Sequence, residues 1–372
     1  MWTFQLPTKI VFGIGTTASM ATMPEIQDRR LVIVTDSTIG QLPPIRNLID
    51  SLKPNAVYDK VRPNPTTANV DEVTELLRKI DAEIIVAIGG GSSLDTAKAA
   101  SCLAWTNDLS IRSYHSEGKI FQRVGIPVIT VPTTAGTGSE VTPIAVLDDE
   151  GKNFKSPMAS PYFYPVCAVV DPELTISVPL RVTASTALDA LSHSIEGYWS
   201  KNHQPICDLL AKEAAKTIFV HLPNVYENLD DLASRKALSY AALIAGIAFH
   251  LPKNAIIHAC SFPLSNRAHL PHGIACAFTM EAAIRMNSPY MNGRMEEFAA
   301  YCNFSTIEKM IEEITTLKRR GGLPCTLMEA QIDSSLIDTL IAESFHPLLN
   351  NNPKKVTEED LRQIYKELMV NE

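Results

Sequence analysis

Residues 83–95 read EIIVAIGGGSSLD, and the apolar, β-branched run Ile84 to Ile88 passes straight into Gly89-Gly90-Gly91 and then into a helical segment from about Leu94. A short apolar run ending in glycines reads as a buried strand delivering a tight turn to a helix start. The same grammar recurs on either side. Leu31 to Val34 is followed by Thr35-Asp36, and Ile126 to Val131 and Val166 to Val170 are further apolar runs. Asp71 to Ile80 carries helical spacing through Val73, Leu76, Leu77 and Ile80. Strands alternating with helices predict a doubly wound α/β domain with a parallel sheet and helices on both faces. Asp148-Asp149-Glu150-Gly151, between Ile144–Leu147 and Asn153-Phe154-Lys155, predicts a hairpin turn.

The texture changes after Asp171-Pro172. Helical segments are expected at 183–199, 206–221, 232–250, 253–261, 273–286, 304–320, 334–343 and 357–369, punctuated by Pro179, Pro252, Pro263 and Pro271. The expected organisation is an α/β domain over residues 1–178 and an all-helical domain over 179–372. Two domains also suit the length: the chain has 372 residues, whereas single cores stop growing at roughly 250–300.

Composition narrows the function. Apolar residues are 45% and charged residues 20%, a globular balance, and 33 basic against 41 acidic residues give a net charge of -8. With no basic run to neutralise phosphates, nucleic-acid binding is not expected. The seven cysteines (Cys102, Cys167, Cys207, Cys260, Cys276, Cys302, Cys325) are scattered with no CxxC pair, which favours a reducing compartment over a disulfide framework. The start, MWTFQLPTKIVFG, shows no signal-peptide pattern, and no uninterrupted apolar run of about 18 residues predicts a membrane span. The expectation is a cytoplasmic protein.

Two turns carry the cofactor argument. Gly89 to Asp95 brings bare backbone N–H groups to a helix N-terminus, which suits a pyrophosphate, although it is neither GxGxxG nor a Walker sequence. Pro132-Thr133-Thr134-Ala135-Gly136-Thr137-Gly138-Ser139-Glu140 follows the next strand and adds hydroxyls and close backbone access. Open α/β sheets bind dinucleotides at such strand ends. Asp36, ending another strand, either accepts from an adenosine ribose, favouring NAD over NADP, or serves as a solvated turn residue.

A second constellation suits a metal. Asp189 and His193 stand at i and i+4 in a helical segment and share a face. His258 lies in another, and His272 follows it after Pro263 and Pro271, which are expected to break the chain and fold it back. One carboxylate and three imidazoles fit Fe²⁺, Zn²⁺ or a similar divalent ion acting as a Lewis acid.

Taken together, GGGSSLD (89–95), PTTAGTGSE (132–140), TASTALDALSHSIEGYWS (183–200) and a helix histidine fourteen residues before PHG resemble the iron-containing (group III) alcohol dehydrogenases. The likeness runs from KIVFG near the start to NNPKKVTEEDLRQIY at 351–365. It implies an N-terminal NAD-binding domain, a C-terminal helical domain and a catalytic metal in the cleft between them. It also implies Asp189, His193, His258 and His272 as metal ligands, for Fe²⁺ first and Zn²⁺ or Mn²⁺ otherwise. Gly90, Gly91, Ser92, Thr133, Thr134 and Thr137 match the pyrophosphate and nicotinamide contacts; Asp36, Asn64 and Lys155 match further cofactor contacts, and Asp95 is counted with them. A homodimer or larger homo-oligomer is expected.

The chain departs from many members at Phe262, where they carry another histidine. SFPLS at 261–265 looks more like the SYPLT branch, which includes reductases of phosphonoacetaldehyde. Without that histidine, water, the cofactor ribose or His269 is left to move the proton. Arg267, in the expected loop Leu264 to Leu270 linking His258 to His272, could hold an anionic head group by bidentate hydrogen bonds, with Asn266, His250 and Lys253 nearby in sequence. The expected activity is NAD(H)-dependent, metal-dependent reduction of a short aldehyde or oxidation of the alcohol. Sulfoacetaldehyde or phosphonoacetaldehyde is the first substrate guess. Simple aldehydes or diols of the lactaldehyde, propanediol or butanol type, or a lyase of the dehydroquinate synthase type, are the alternatives.

Overall fold

The computed structural model describes residues 2–152 and 154–369. Its strands are β1 (Lys9–Phe12), β2 (Leu31–Val34), β3 (Ala56–Tyr58), β4 (Ile84–Gly89), β5 (Val128–Pro132), β6 (Ile144–Asp149), β7 (Phe154–Ala159) and β8 (Cys167–Val170). Its helices are α1 (Pro43–Leu52), α2 (Thr67–Ile80), α3 (Gly91–Leu103), α4 (Arg112–His115), α5 (Leu180–Trp199), α6 (Pro205–Glu227), α7 (Leu232–Phe249), α8 (Ile256–Arg267), α9 (His272–Asn287), α10 (Arg294–Tyr301), α11 (Ile307–Arg320), α12 (Ile337–Glu343) and α13 (Glu358–Glu367). The chain divides into two compact units: one spans Gln5–Thr134 and Gly138–Ser177, and the other holds the residues up to Phe4, Ala135–Thr137 and the chain from Val178 onward.

The first unit is α/β. Its sheet runs β1-β8-β5-β4-β2-β3 and is parallel throughout. The central strands β2, β4, β5 and β8 are buried along their whole length, as strands covered on both faces must be. Register places Gly89 opposite Pro132, so the turns after β4 and β5 leave the sheet side by side. β6 and β7 form the expected antiparallel hairpin apart from the main sheet; Asn153, which that reading included, lies outside the described residues.

Lys98, fully buried on α3, ties the segment after β5 to this unit. Its Nζ donates to the Ser139 carbonyl (3.0 Å), the Ser139 hydroxyl (2.6 Å) and the Ile144 carbonyl, and pairs with Asp95 at 3.1 Å. Asp95 in turn accepts from the Ser139 hydroxyl (2.5 Å) and the Val146 N–H (2.9 Å). A buried charge persists only when paired and hydrogen-bonded in this way. The carboxylate of Asp95, counted among the expected cofactor contacts, is thus hydrogen-bonded inside the unit.

The second unit is helical. Every residue of α5 from Ala187 to Trp199 is buried, which makes α5 the central helix, packed by α6, α7 and α9. α7 is long and apolar enough to cross a membrane by length and composition, but 72% of that window is buried inside the unit, as in a core helix. The break expected at Pro263 does not occur. Pro263 lies inside α8, which continues to Arg267, and the chain turns instead at His269, in the left-handed region at φ 55°, just before Pro271. A proline inside a helix removes one backbone hydrogen bond and crowds the preceding turn, a cost of about 3 kcal/mol that the buried packing of α8 outweighs.

Candidate metal centre and cofactor loops

Three helices bring the proposed ligands together in the helical unit. Asp189 and His193 lie one turn apart on α5, His258 on α8, and His272 opens α9. Asp189 Oδ1 stands 3.9 Å from His193 Nε2 and 3.8 Å from both His258 Nε2 and His272 Nε2. His193 Nε2 and His258 Nε2 face each other at 3.1 Å. Donors bonded to one ion at roughly 2.0–2.2 Å sit a little over 3 Å apart.

Gly273 permits this convergence. A Cβ at that position would lie 2.4 Å from the Ser185 carbonyl oxygen of α5 and 3.4 Å from Asp189 Cβ, so only a glycine lets the start of α9 approach α5 this closely.

The electrostatics call for a cation. Asp189 Oδ1 is buried with no hydrogen-bond partner among the described residues, and burial pushes its carboxyl up to about 6. Burial also holds His193 well below the usual imidazole range, with His258 and His272 adding to the effect, so its nitrogen keeps a lone pair. An orphaned carboxylate oxygen facing three imidazole nitrogens is the donor set of a divalent ion, and these residues fit one.

Sequence reasoning missed the residues behind the ligands. Glu196 accepts from His258 Nδ1 and from the Ile257 N–H, both at 2.6 Å. That bond fixes the tautomer with Nε2 turned toward the cluster, the carboxylate–histidine arrangement of metal sites. Its signal was available: positions 189, 193 and 196 follow i, i+4, i+7 on one helix face. Phe249 stacks on the His193 ring at 4.1 Å and 10°, and Cys276 joins Asp189, His258 and His272 in one group of donors.

Arg267, Asn266 and His269 are not brought to this cluster. Arg267 is the last residue of α8, and its exposed guanidinium pairs with Glu343, Nε at 2.9 Å and 3.0 Å from the two carboxylate oxygens. The segment expected as a loop is helix up to Arg267, and the side chain where a head-group contact was expected is aimed at Glu343. Asn266 is half-buried, and His269 is exposed in its left-handed turn. Phe262 is buried one turn after His258, its ring centroid 4.9 Å from that of His346.

In the α/β unit, Gly90 precedes α3 with no side chain capping the helix N-terminus, and Gly91 and Ser92 begin its first turn. Gly89 needs its glycine: at φ 148° a Cβ would meet the Ser93 hydroxyl at 2.6 Å. Thr134 flanks Gly90, 3.6 Å from where a Cβ would stand, and the buried hydroxyls of Thr133 and Ser93 have no hydrogen-bond partner among the described residues. Uncapped N–H groups beside spare hydroxyls form an anion cradle. Asp36 Oδ1 accepts from the Thr38 and Ile39 N–H groups, both at 2.9 Å, so it shapes its turn. Lys155 donates to Asn64, itself left-handed at φ 57°, at 2.9 Å. Thr137 clusters with the helical unit.

The comparisons with known proteins follow this division. Residues 7–172 match the iron-containing alcohol dehydrogenase model, and 183–369 match the model of that family's C-terminal domain. A choline dehydrogenase of Bacillus subtilis is 34% identical over 98% of this chain and 94% of its own. The chain belongs to the iron-containing alcohol dehydrogenase family. Among its other relatives, a sulfoacetaldehyde reductase of Bilophila wadsworthia is 33% identical over 75% of this chain and 73% of its own. The crystal structure of a sulfoacetaldehyde reductase from Bifidobacterium kashiwanohense in complex with NAD+ superposes with a TM-score of 0.95 at 39% identity, covering both chains completely.

Proposed function

We propose that this protein is an NAD(H)-linked, metal-dependent reductase of a short aldehyde bearing an anionic head group, such as sulfoacetaldehyde. The observation that carries the chemistry is the orphaned Asp189 oxygen among three imidazole nitrogens. Asp189, His193, His258 and His272 would hold the ion, and the turns at 90–92 and 133–134 would hold the cofactor phosphates. A divalent ion supplies polarisation of the substrate oxygen and the nicotinamide supplies the hydride. The chain's own part is alignment: Glu196 orients His258, Phe249 holds the His193 ring flat, and Gly273 sets the approach of His272.

The likeness to sulfoacetaldehyde reductase over the whole chain supports the anionic substrate. So does Lys253, in the short link between α7 and α8. It is half-buried, burial lowers its pKa, and no carboxylate lies within ion-pair distance among the described residues. An unpaired ammonium in that position is suited to a sulfonate or phosphonate. The seven thiols, none of them in a disulfide, support a reducing cytoplasmic setting, and we infer a homodimer or larger assembly, which sedimentation velocity would test.

The deciding experiment follows NADH oxidation by the Fe²⁺- or Zn²⁺-loaded enzyme with sulfoacetaldehyde, phosphonoacetaldehyde and propionaldehyde, and NAD+ reduction with choline. The anionic aldehydes are expected to lead in kcat/KM, and Lys253→Met should lower their values about 10- to 100-fold, the worth of one charge-assisted hydrogen bond of about 1.5–3 kcal/mol, while sparing propionaldehyde. Equal turnover of propionaldehyde, or a preference for choline, defeats the anionic assignment.

A further inference from the structure

We propose that the helical unit holds a second ligand site, a cavity that takes an organic anion made of one charged head and an apolar body. The cavity measures about 490 Å³ and lies between Lys201, just after α5, and the segment 345–356 that links α12 to α13. Its charge is one-sided. Lys201 and Lys355 line it, no carboxylate does, and neither lysine has an acidic partner within ion-pair distance among the described residues. The carboxylates that flank the segment are already engaged, Glu343 by Arg267 and Asp360 by Lys354. His346 adds a neutral donor to the lining. Its Nδ1 accepts from the Leu348 N–H at 3.2 Å, so the uncharged ring carries its proton on Nε2, and burial holds its pKa below the usual imidazole range.

The rest of the lining is apolar. Leu349 and Val356 contribute to it, and Phe345 stands 51% exposed, a ring left in water until an apolar body covers it. Size separates an organic anion from a simple ion. Small-molecule sites run to roughly 300–1,000 Å³, and a bare phosphate fills only a fraction of 490 Å³. The walls are also fixed in advance. The Lys201 N–H donates to the Asn351 carbonyl at 2.9 Å, and the Asn351 side-chain amide donates to the Asn254 carbonyl at 2.9 Å. Buried Asn352 exchanges amide hydrogen bonds with Asn287 at 2.8 and 2.9 Å. A site already ordered loses less entropy when it binds. The His346 ring packs on Phe262, so the cavity borders α8, the helix of His258. Its lining does not include Lys253, and the two sites are separable by mutation.

Isothermal titration calorimetry on the full-length, metal-loaded protein with saturating NAD+ tests this. Phenyl phosphate is the probe, and inorganic phosphate and phenol are its two halves. Phenyl phosphate is expected to bind one to one, at least about tenfold more tightly than either half. Lys201→Met and Lys355→Met should each weaken it about 3- to 10-fold, and the double variant should show no heat of binding. Phe345→Ala should erase the advantage over inorganic phosphate. Lys236→Met, at an exposed lysine of α7, and Lys253→Met should leave the affinity unchanged. These substitutions fall at exposed or half-buried side chains, so folding is not at stake. Loss of binding in Lys253→Met with the cavity lysines silent puts the anion at the catalytic site and overturns the proposal. Inorganic phosphate binding as tightly as phenyl phosphate, or no binding of phenyl phosphate, overturns it too. None of these outcomes touches the reductase reading, which is decided by turnover.

Discussion

The two candidate sites are built from different material. The cradle after β4 and β5 is mostly backbone, consisting of the uncapped start of α3, glycines that admit close approach, and a few spare hydroxyls. The donor cluster is all side chain, held by α5, α8 and α9, with a second rank of residues behind it. A backbone site tolerates loss of a single side chain, because its N–H groups remain. A side-chain site concentrates its function in few atoms.

That contrast can be broken in three places. Asp189→Ala should have the largest effect: it removes the anionic donor common to the cluster and should lower both bound metal and kcat by about 10³-fold or more, the several kcal/mol a Lewis acid contributes. Metal content by elemental analysis beside turnover checks it, and full activity without metal refutes the side-chain account. Glu196→Gln comes next. It keeps the shape but weakens the hold on His258, and should cost about 10- to 100-fold in metal affinity, measured by competition with a chelator. Asp36→Asn should be smallest. The amide oxygen can still accept from the Thr38 and Ile39 N–H groups, while the charge that would repel a 2′-phosphate bound there is lost. KM for NADPH should fall about tenfold with KM for NADH nearly unchanged, the worth of one like-charge contact.

Much of this was legible in the residues, for physical reasons that also explain the gaps. Central strands such as Ile84–Gly89 are buried on both faces and announce themselves as apolar runs. The edge strands β1 and β3 are short and only partly buried, so Lys9–Phe12 and Ala56–Tyr58 carry no such signal. The i, i+4 spacing of Asp189 and His193 exposes a ligand pair, and i+7 places Glu196 on the same face, but its partner His258, 62 residues away, leaves no trace beside it in the sequence. Around Arg267 the flanking Pro263 and Pro271 suggest a loop. The chain instead stays helical through Pro263, and Glu343, 76 residues away, claims the guanidinium. Partners that distant in sequence leave no local trace.

The close contact at Gly273 has a consequence for how the centre measures an ion. The spacing between α5 and α9 is set by main chain resting against main chain, 2.4 Å being all the room left for a methyl group beside the Ser185 carbonyl. Such a stop does not relax by rotating a side chain. The separation of the two backbones that carry Asp189 and His272 is thus fixed by main chain, and only the side-chain torsions of the two residues are left to adapt to an ion.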